Sequence, residues 1–312
     1  MASRDMAQHT AGEGEAQIRR RQQARVAIRP RWWQRKTVRN SFAKLVIMFV
    51  LAVGVAIIMV PALWMLSVSL KTDAELHAYP PVWIPRSLCV QNYIDALTLI
   101  PFGRLLRNTL IITLCRLVGV VLSSSLVAFG FARFRAPGHD VLFLVVLATM
   151  MLPGEVTLIP QFVLFSKLGW VDTFKPLIIP AFFGGGAFNI FLLRQFFMTI
   201  PLEYDDAARI DGAGTLRLFF QIILPLSKPA LATVATFTIM GSWNDFFGPL
   251  IYLRTMTNST LALGLYFFQG VYNPQWNRLM AMSVLLMLPI VALFFFAQRF
   301  FIQGVVVTGL KG

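Results

Sequence analysis

Catalytic chemistry is what this sequence lacks. It has two cysteines, Cys89 and Cys115. One falls in a loop and the other inside an apolar run, so no bridge is expected, and two cysteines cannot frame a fold. The three histidines, His9, His77 and His139, are scattered along the chain, which leaves no cluster with metal-ligand spacing. No Gly-x-x-x-x-Gly-Lys-(Ser/Thr) run occurs, so the backbone cradle that such a loop builds around ATP phosphates is missing. No Ser/His/Asp or Cys/His set offers a nucleophile with its base. There is no repeat of solenoid period and no low-complexity linker. The chain reads as a non-enzyme with no cofactor or metal of its own.

Charge is scarce too. Asp, Glu, Lys and Arg make up 13% of the 312 residues and apolar types 57%, with a mean hydropathy of +0.67. That is too apolar for a soluble domain and points to a polytopic membrane protein. The net charge of +14 would suit nucleic acid, but eleven of the 28 Lys+Arg lie in residues 1–44 and most of the rest sit near the ends of apolar runs. This distribution orients a chain in a membrane; it does not make a phosphate-binding face, and no nucleic-acid partner is expected.

What is there is a series of apolar runs. A bilayer core of about 30 Å takes about 20 helical residues. Residues 45–70 carry no charge and form the first predicted span. The run is too long for a signal-peptide core, and the polar segment before it is too long as well. Further spans are predicted at 108–132, interrupted by Arg116; at 141–166, with MMLPGEV inside; at 177–198, with Gly184-Gly185-Gly186; at 230–253; and at 279–302. The predicted fold class is all-α, with six transmembrane helices. Six spans put both termini on one side. The loops on that side hold nineteen Lys+Arg and the alternate loops eight, so the termini are expected in the cytoplasm. The expected organisation is a basic tail (1–44), a first transmembrane helix (45–70), an external loop (71–107), a core (108–302) with a cytoplasmic loop at 199–229, and a cytoplasmic tail (303–312).

Two readings fit RRRQQARVAIRPRWWQRK in the basic tail. It is either a solvated arm that orients the first span, or a membrane-surface helix with Trp32 and Trp33 at the headgroups and arginines on anionic lipid. A tract this basic tends to stay solvated. In the external loop, Pro80, Pro81 and Pro85 forbid regular helix.

Polar groups inside predicted spans stand out, because an unpaired charge there is costly. Trp243, Asn244 and Asp245 sit near the middle of the fifth span, followed by Gly248-Pro249, a pair expected to break the helix and free carbonyls toward a cavity. Trp offers a sugar ring a flat apolar face, and Asn offers hydroxyls both donor and acceptor. Asp245 points about 100° away from Asn244 on a helix, so it is expected to hold the bundle rather than line the cavity. Asn189 lies in the fourth span, and the three glycines before it suit close packing or a bend. Arg116 needs a partner, water or a headgroup. Asp245 is of the right type, but the sequence does not show that they meet.

The densest polar cluster is EYDDAARIDGAG at 203–214. Pro201 suits the first position of a helix. Glu203, Asp205 and Asp206 fall in first turns, where carboxylates complement the helix dipole. Gly212 or Gly214 can end the helix. A second helix is expected, with Thr215 as its cap, Leu216, Phe219, Phe220, Ile223 and Leu224 on one apolar face, and Pro225 and Pro229 as its stop. By itself this helix–turn–helix is equally a plain connector between spans four and five.

Asp206-Ala207-Ala208, three residues, Gly212, nine residues, Ile222, one residue and Leu224-Pro225 resembles the EAA motif of ATP-binding-cassette (ABC) importer permeases. Every spacing is met, and Asp206 replaces the usual Glu. The resemblance covers about 70–312, through NYIDALTLIPFGRLLRNTL, MMLPGEVTLIPQFVLFSKLGW, LLRQFFMTIP, GSWNDFFGPLIYL and the final GLKG, and is closest to the smaller, maltose-permease-G-like subunits of carbohydrate importers. It implies a type I importer transmembrane domain in a bacterial or archaeal plasma membrane. It also implies a second homologous permease, an ATPase dimer holding the ATP and magnesium, and an external solute-binding protein. Glu203, Asp206, Ala207, Ala208, Asp211 and Gly212 would then contact the ATPase. Trp243, Asn244, Asp245 and Asn189 are expected along the path of a sugar or sugar-like solute of oligosaccharide, disaccharide or glycerol-phosphate class. The alternatives are a peptide or polyamine importer, and an ion-coupled secondary transporter relaying charge through Asp245 and Arg116.

Overall fold

The computed structural model describes the backbone of residues 36–269 and 275–309, with side chains for 43–269, 275–296 and 298. The expectations for the tract before residue 36 and for residues 310–312 lie outside the described residues. The chain forms two units, Met1–Ala62 and Leu63–Gly312. The regular structure of the described residues is helical throughout. Four helices are long and apolar enough to cross a membrane, and up to six if each of two bent pairs is one span.

Helix α1 runs Lys36–Ser69. Its apolar stretch Ala43–Ser69 is exposed along most of its length, as a helix bathed in lipid should be. The segment after it is a built structure. A one-turn helix at Asp73–Leu76 is closed by a capping box between Thr72 and Glu75, and helix α2 spans Gln91–Thr98. Lys71 is 2% exposed, with its Nζ 4.1 Å from the ring centroid of Trp64.

The central helix α3 spans Phe102–Arg133, 32 residues or about 48 Å. It enters six residues ahead of the predicted second span. Its buried residues include a run of small and polar ones, Asn108, Thr109, Thr113, Gly119, Ser123, Ser124, Ser125 and Ala128, alongside Leu105, Ile112, Val120 and Phe129. Such small residues let neighbouring backbones approach closely without a hydrophobic driving force. A Cβ on Gly119 would stand 2.8 Å from the Phe182 ring. Around α3 pack α6 (Ala187–Met198) and α9 (Lys228–Trp243). Phe129, Ile190, Leu193, Phe197, Phe219, Ile223 and Val234 join into one apolar cluster.

The predicted third span is not one straight helix. It splits into α4 (His139–Thr149) and α5 (Gly154–Lys167), bent by 93°. Pro153 causes the break: it has no N–H for the ladder and forces Leu152 out of helical geometry. The fourth span is a helical turn at Lys175–Ile178, a tighter turn at Ile179–Phe182, and then α6. Between them Gly184, Gly185 and Gly186 all have positive φ. A Cβ on Gly185 would lie 2.7 Å from the Val120 carbonyl oxygen and 2.9 Å from Ser123 Oγ. Both the bend and the close packing expected of these glycines are present.

The fifth span is also broken. Helix α9 ends at Trp243, and α10 (Phe247–Tyr252) follows after a gap. The break lies upstream of Gly248-Pro249, which corrects the expectation that this pair interrupts the helix. Pro249 sits in the first turn of α10, where its missing N–H has no intrahelical role. The last helix, α11, runs Trp276–Gly309, so most of the expected tail 303–312 is helical.

Candidate functional site

Helix α7 spans Glu203–Ile210, with three carboxylates in its first turn. Pro201 stands outside it and Leu202 is the N-cap, so the helix starts two residues later than the sequence suggested. Gly212 ends it in the left-handed region at φ 79. The Ala213 N–H donates to the Ala208 carbonyl at 2.8 Å and the Gly212 N–H to the Arg209 carbonyl at 3.0 Å, a Schellman closure.

The following segment Thr215–Leu226 departs from expectation. Gly214 is the N-cap and Thr215 is the first helical residue, so Thr215 does not cap it. Phe219–Ile223 form a π turn, whose extra residue shifts the apolar phase. Leu218, Phe219 and Ile223 are buried, while Leu216 and Phe220 are exposed. The helix stops at Leu226, between Pro225 and Pro229 as expected, and the chain bends by 80° at Ser227 before α9 starts at Lys228 with Pro229 in its first turn.

One pair joins α7 to the membrane domain. Arg133, the last residue of α3, brings its Nε within 3.1 Å of Asp205 Oδ2, with the two side chains 4% and 5% exposed. Arg133 Nη2 donates to the Ile200 carbonyl at 2.9 Å. Burial pushes the Asp205 carboxyl above its ordinary range, and the charge of Arg133 opposes that shift. Sequence reasoning placed Asp205 in the first turn but missed its partner. The signal was the arginine in the last turn of a 32-residue helix, after sixteen residues without charge.

The buried pair and the inward-packed Ala208 fix which face looks out. Glu203, Asp206, Ala207, Asp211 and Gly212 are exposed. Ala208 is 5% exposed and belongs to the core, not to that face, and Ile210, at 86%, is its apolar centre. Carboxylates around a bare isoleucine and a bare alanine are the makings of a protein-docking surface.

A second constellation surrounds the break in span five. Arg116 Nη1 meets Asp245 Oδ2 at 2.9 Å, with both side chains partly exposed. Asp245 Oδ1 accepts the Gly248 N–H at 3.0 Å. The carboxylate thus ties α3 to the first turn of α10. Trp243 is 5% exposed and its indole N–H donates to the Leu286 carbonyl of α11 at 3.1 Å, so it packs the bundle and offers no free ring face. Asn244 is exposed, with its amide on the Met240 carbonyl at 2.9 Å. It opens onto a cavity of about 320 Å³ shared with Phe246, Leu265, Tyr266, Gln269 and Leu286. Tyr266 and Gln269 carry no motif that would have singled them out. Asn189 is turned back on the glycine bend, donating to the Gly185 carbonyl at 2.7 Å.

The loops that hold Tyr266 in place are cross-braced. Asn108 donates to the carbonyls of Thr257 and Ser259, each at 2.9 Å, and Thr109 Oγ1 accepts the Leu261 N–H at 2.9 Å. Asp172, at φ 61, accepts the N–H groups of Arg254 and Thr255 at 2.9 and 3.0 Å. These backbone donors hold its carboxyl below the ordinary carboxylate range.

A bundle of apolar, broken helices around a small-residue central helix, with a projecting anchored helix, is a polytopic membrane permease. Residues 119–307 match the family described as binding-protein-dependent transport system inner membrane component, and the chain belongs to that family. It is 35% identical over 274 residues to the arabinooligosaccharides transport system permease protein AraQ of Halalkalibacterium halodurans, covering 86% of this chain and 98% of that one. It is 32% identical over 268 residues to the sn-glycerol-3-phosphate transport system permease protein UgpE of Rhizobium meliloti, covering 83% and 94%. Its fold matches a chain of a bacterial ABC transporter for the acidic polysaccharide alginate, with TM-score 0.74, 23% identity, and 84% and 97% coverage. The fold is that of a type I ABC importer transmembrane domain.

Proposed function

We propose that this chain is one of two permease subunits of a carbohydrate importer in a bacterial or archaeal plasma membrane, with its termini in the cytoplasm. A second homologous permease completes the path, an ATPase dimer binds and hydrolyses ATP with magnesium, and an external solute-binding protein delivers cargo. The observation that carries this reading is the anchored helix α7. Its outer face of Glu203, Asp206, Ala207, Ile210 and Asp211 is free, while its inner face is bolted to the end of α3 through Arg133 and Asp205. A push on that face is passed to the central membrane helix through a desolvated contact, which transmits displacement because packed interiors are stiff.

The cavity beside Asn244 supports sugar over peptide or polyamine. Its wall combines two amides, Asn244 and Gln269, with the rings of Phe246 and Tyr266, groups that pair with hydroxyls and cover apolar ring faces. A polyamine would call for free carboxylates, and Asp245 is already engaged by Arg116 and the Gly248 N–H. The same engagement argues against a charge relay by this pair. In the assembly, Asn244→Ala or Tyr266→Ala should weaken stimulation of ATP hydrolysis by the loaded binding protein while leaving subunit assembly intact. The experiment is purification from native membranes, identification of the co-purifying subunits, and ATPase assay with a panel of oligosaccharides, peptides and polyamines. Isolation without an ATPase subunit, or stimulation by polyamines alone, would overturn the reading.

A further inference from the structure

We propose that the cavity where α3 ends, α4 begins and α6 closes binds the phosphate of an anionic phospholipid headgroup. The cavity has a volume of about 540 Å³, and its wall includes Arg133, Arg135, His139, Arg194, Met198 and Leu202. The charges are not equivalent. Arg133 is balanced by Asp205. Asp140, the carboxylate on the wall, is 96% exposed and turned toward His139 Nδ1 at 2.9 Å. His139 Nε2 faces the Phe131 carbonyl at 3.1 Å. Arg194 is held by a bond from Nε to the same carbonyl at 3.0 Å, and its guanidinium carbon lies 4.1 Å from the Phe143 ring centroid. The terminal nitrogens of Arg194 have no partner among the described residues, and neither does the exposed Arg135. Two cations therefore converge on the cavity, one held by its contacts and one exposed, with no anion assigned to them.

The surroundings select a lipid as the anion's carrier. Helix α4 leaves the cavity with Val141, Leu142, Leu144 and Val145 exposed at 56% or more, and Met198 and Leu202 are exposed at the rim. Such a helix faces acyl chains, so the cavity lies where hydrocarbon gives way to headgroups. Under the orientation proposed above, on which this inference rests, that is the cytoplasmic leaflet. Basic pockets between transmembrane helices at that level recognise anionic headgroups, and the fork of Arg194 suits phosphate oxygens. The cavity also borders Arg133, so a bound headgroup would stiffen the joint that carries α7.

The test uses the full chain in its native assembly, in nanodiscs of phosphatidylcholine doped with phosphatidylglycerol. Lipid retained after detergent extraction is read by native mass spectrometry. The wild type should retain phosphatidylglycerol selectively, and Arg135→Gln should lower that retention about five-fold, the effect of one cation near an anionic surface. Arg194→Gln should lower it further. Arg194 also packs on Phe143, so exposed Arg135 is the variant whose folding is not in question. Unchanged selectivity in Arg135→Gln would overturn the proposal. Displacement of the lipid by inorganic phosphate alone would mark a free-anion site and overturn the lipid assignment. Retention by the isolated chain but not by the assembly would mean that a partner subunit fills the cavity, and would overturn it too. The orientation is tested separately: Cys89 should react with an impermeant thiol reagent in intact cells, and reaction only after permeabilisation would invert the topology without touching the binding result.

Discussion

Replacing Asp205 by alanine would leave Arg133, with 4% of its side chain exposed, as a buried charge without its counter-charge. Removing one member of a buried pair costs about 3–5 kcal/mol, because the survivor keeps its desolvation penalty. The bond from Arg133 to the Ile200 carbonyl remains and softens the loss, which places the expected value at the lower end, about 3 kcal/mol. The double variant Arg133→Met/Asp205→Leu removes both charges. It should recover all but about 1–2 kcal/mol, since only the bond to Ile200 is then missing. The pair therefore fixes geometry more than it adds stability. Its pH behaviour follows. The Asp205 carboxyl sits above its ordinary value of 3.8, chiefly through burial. A raised value in the folded state means that the folded chain holds the proton more tightly, so protonation of Asp205, not the ion pair, supplies a stabilising contribution that is full below 3.8 and fades as pH rises through the raised value. Asp205→Asn should lack that dependence. The assay is the unfolding midpoint of the purified assembly in mixed detergent micelles, as a function of pH. A loss under about 1 kcal/mol for Asp205→Ala, the size of an exposed pair, would refute the buried anchor.

Other perturbations test separate parts of the account. Gly185→Ala would drive a methyl group into the Val120 carbonyl at a positive φ, and overpacking alone should cost about 1–3 kcal/mol, read as a lower melting temperature. Asp245→Ala would release Arg116 and the Gly248 N–H together and should lower the yield of assembled complex on size-exclusion chromatography. The Asp172 carboxyl is held below 3.8 by the N–H groups of Thr255 and Arg254, so its contribution is full above 3.8 and lost as pH falls through the lowered value. Asp172→Asn should flatten that acid limb of the thermal stability profile.

The apolar runs announced the four helices long and apolar enough to cross a membrane, because burying about 20 backbone pairs in lipid demands a composition that can be read directly. What they could not show is where a run stops being one helix. Pro153 breaks the third run sharply, yet Pro249 leaves α10 intact because it sits in a first turn. That distinction depends on register, which the position of a proline alone does not supply. The EAA-like stretch was legible because its spacing is fixed. Which of its residues face outward was not, since Asp205 is buried against Arg133, far away in sequence, and Ala208 within a cluster drawn from several helices. Likewise Arg116 and Asp245 lie 129 positions apart and announce themselves only as two costly intramembrane charges. Trp243 was expected to face solute. Its indole instead points to α11, because a Trp on a buried helix face finds a carbonyl for its N–H before it finds a cavity. Tyr266 and Gln269 carry ordinary side chains on irregular turns, and only the three-dimensional bracing by Asn108 and Thr109 makes them neighbours of Asn244.

The proposed function requires the outer face of α7 to receive force from a separate ATPase. Ala207 is exposed on that face and makes no side-chain hydrogen bond, so Ala207→Arg should leave the fold and its melting temperature unchanged while placing a bulky cation where a partner must fit closely. The measurement is ATP hydrolysis by the reconstituted transporter, with and without its loaded solute-binding protein. Stimulation by the loaded protein should fall at least about ten-fold, as expected for loss of about 1.4 kcal/mol or more at a docking hot spot. Undiminished stimulation in Ala207→Arg would contradict the proposed function.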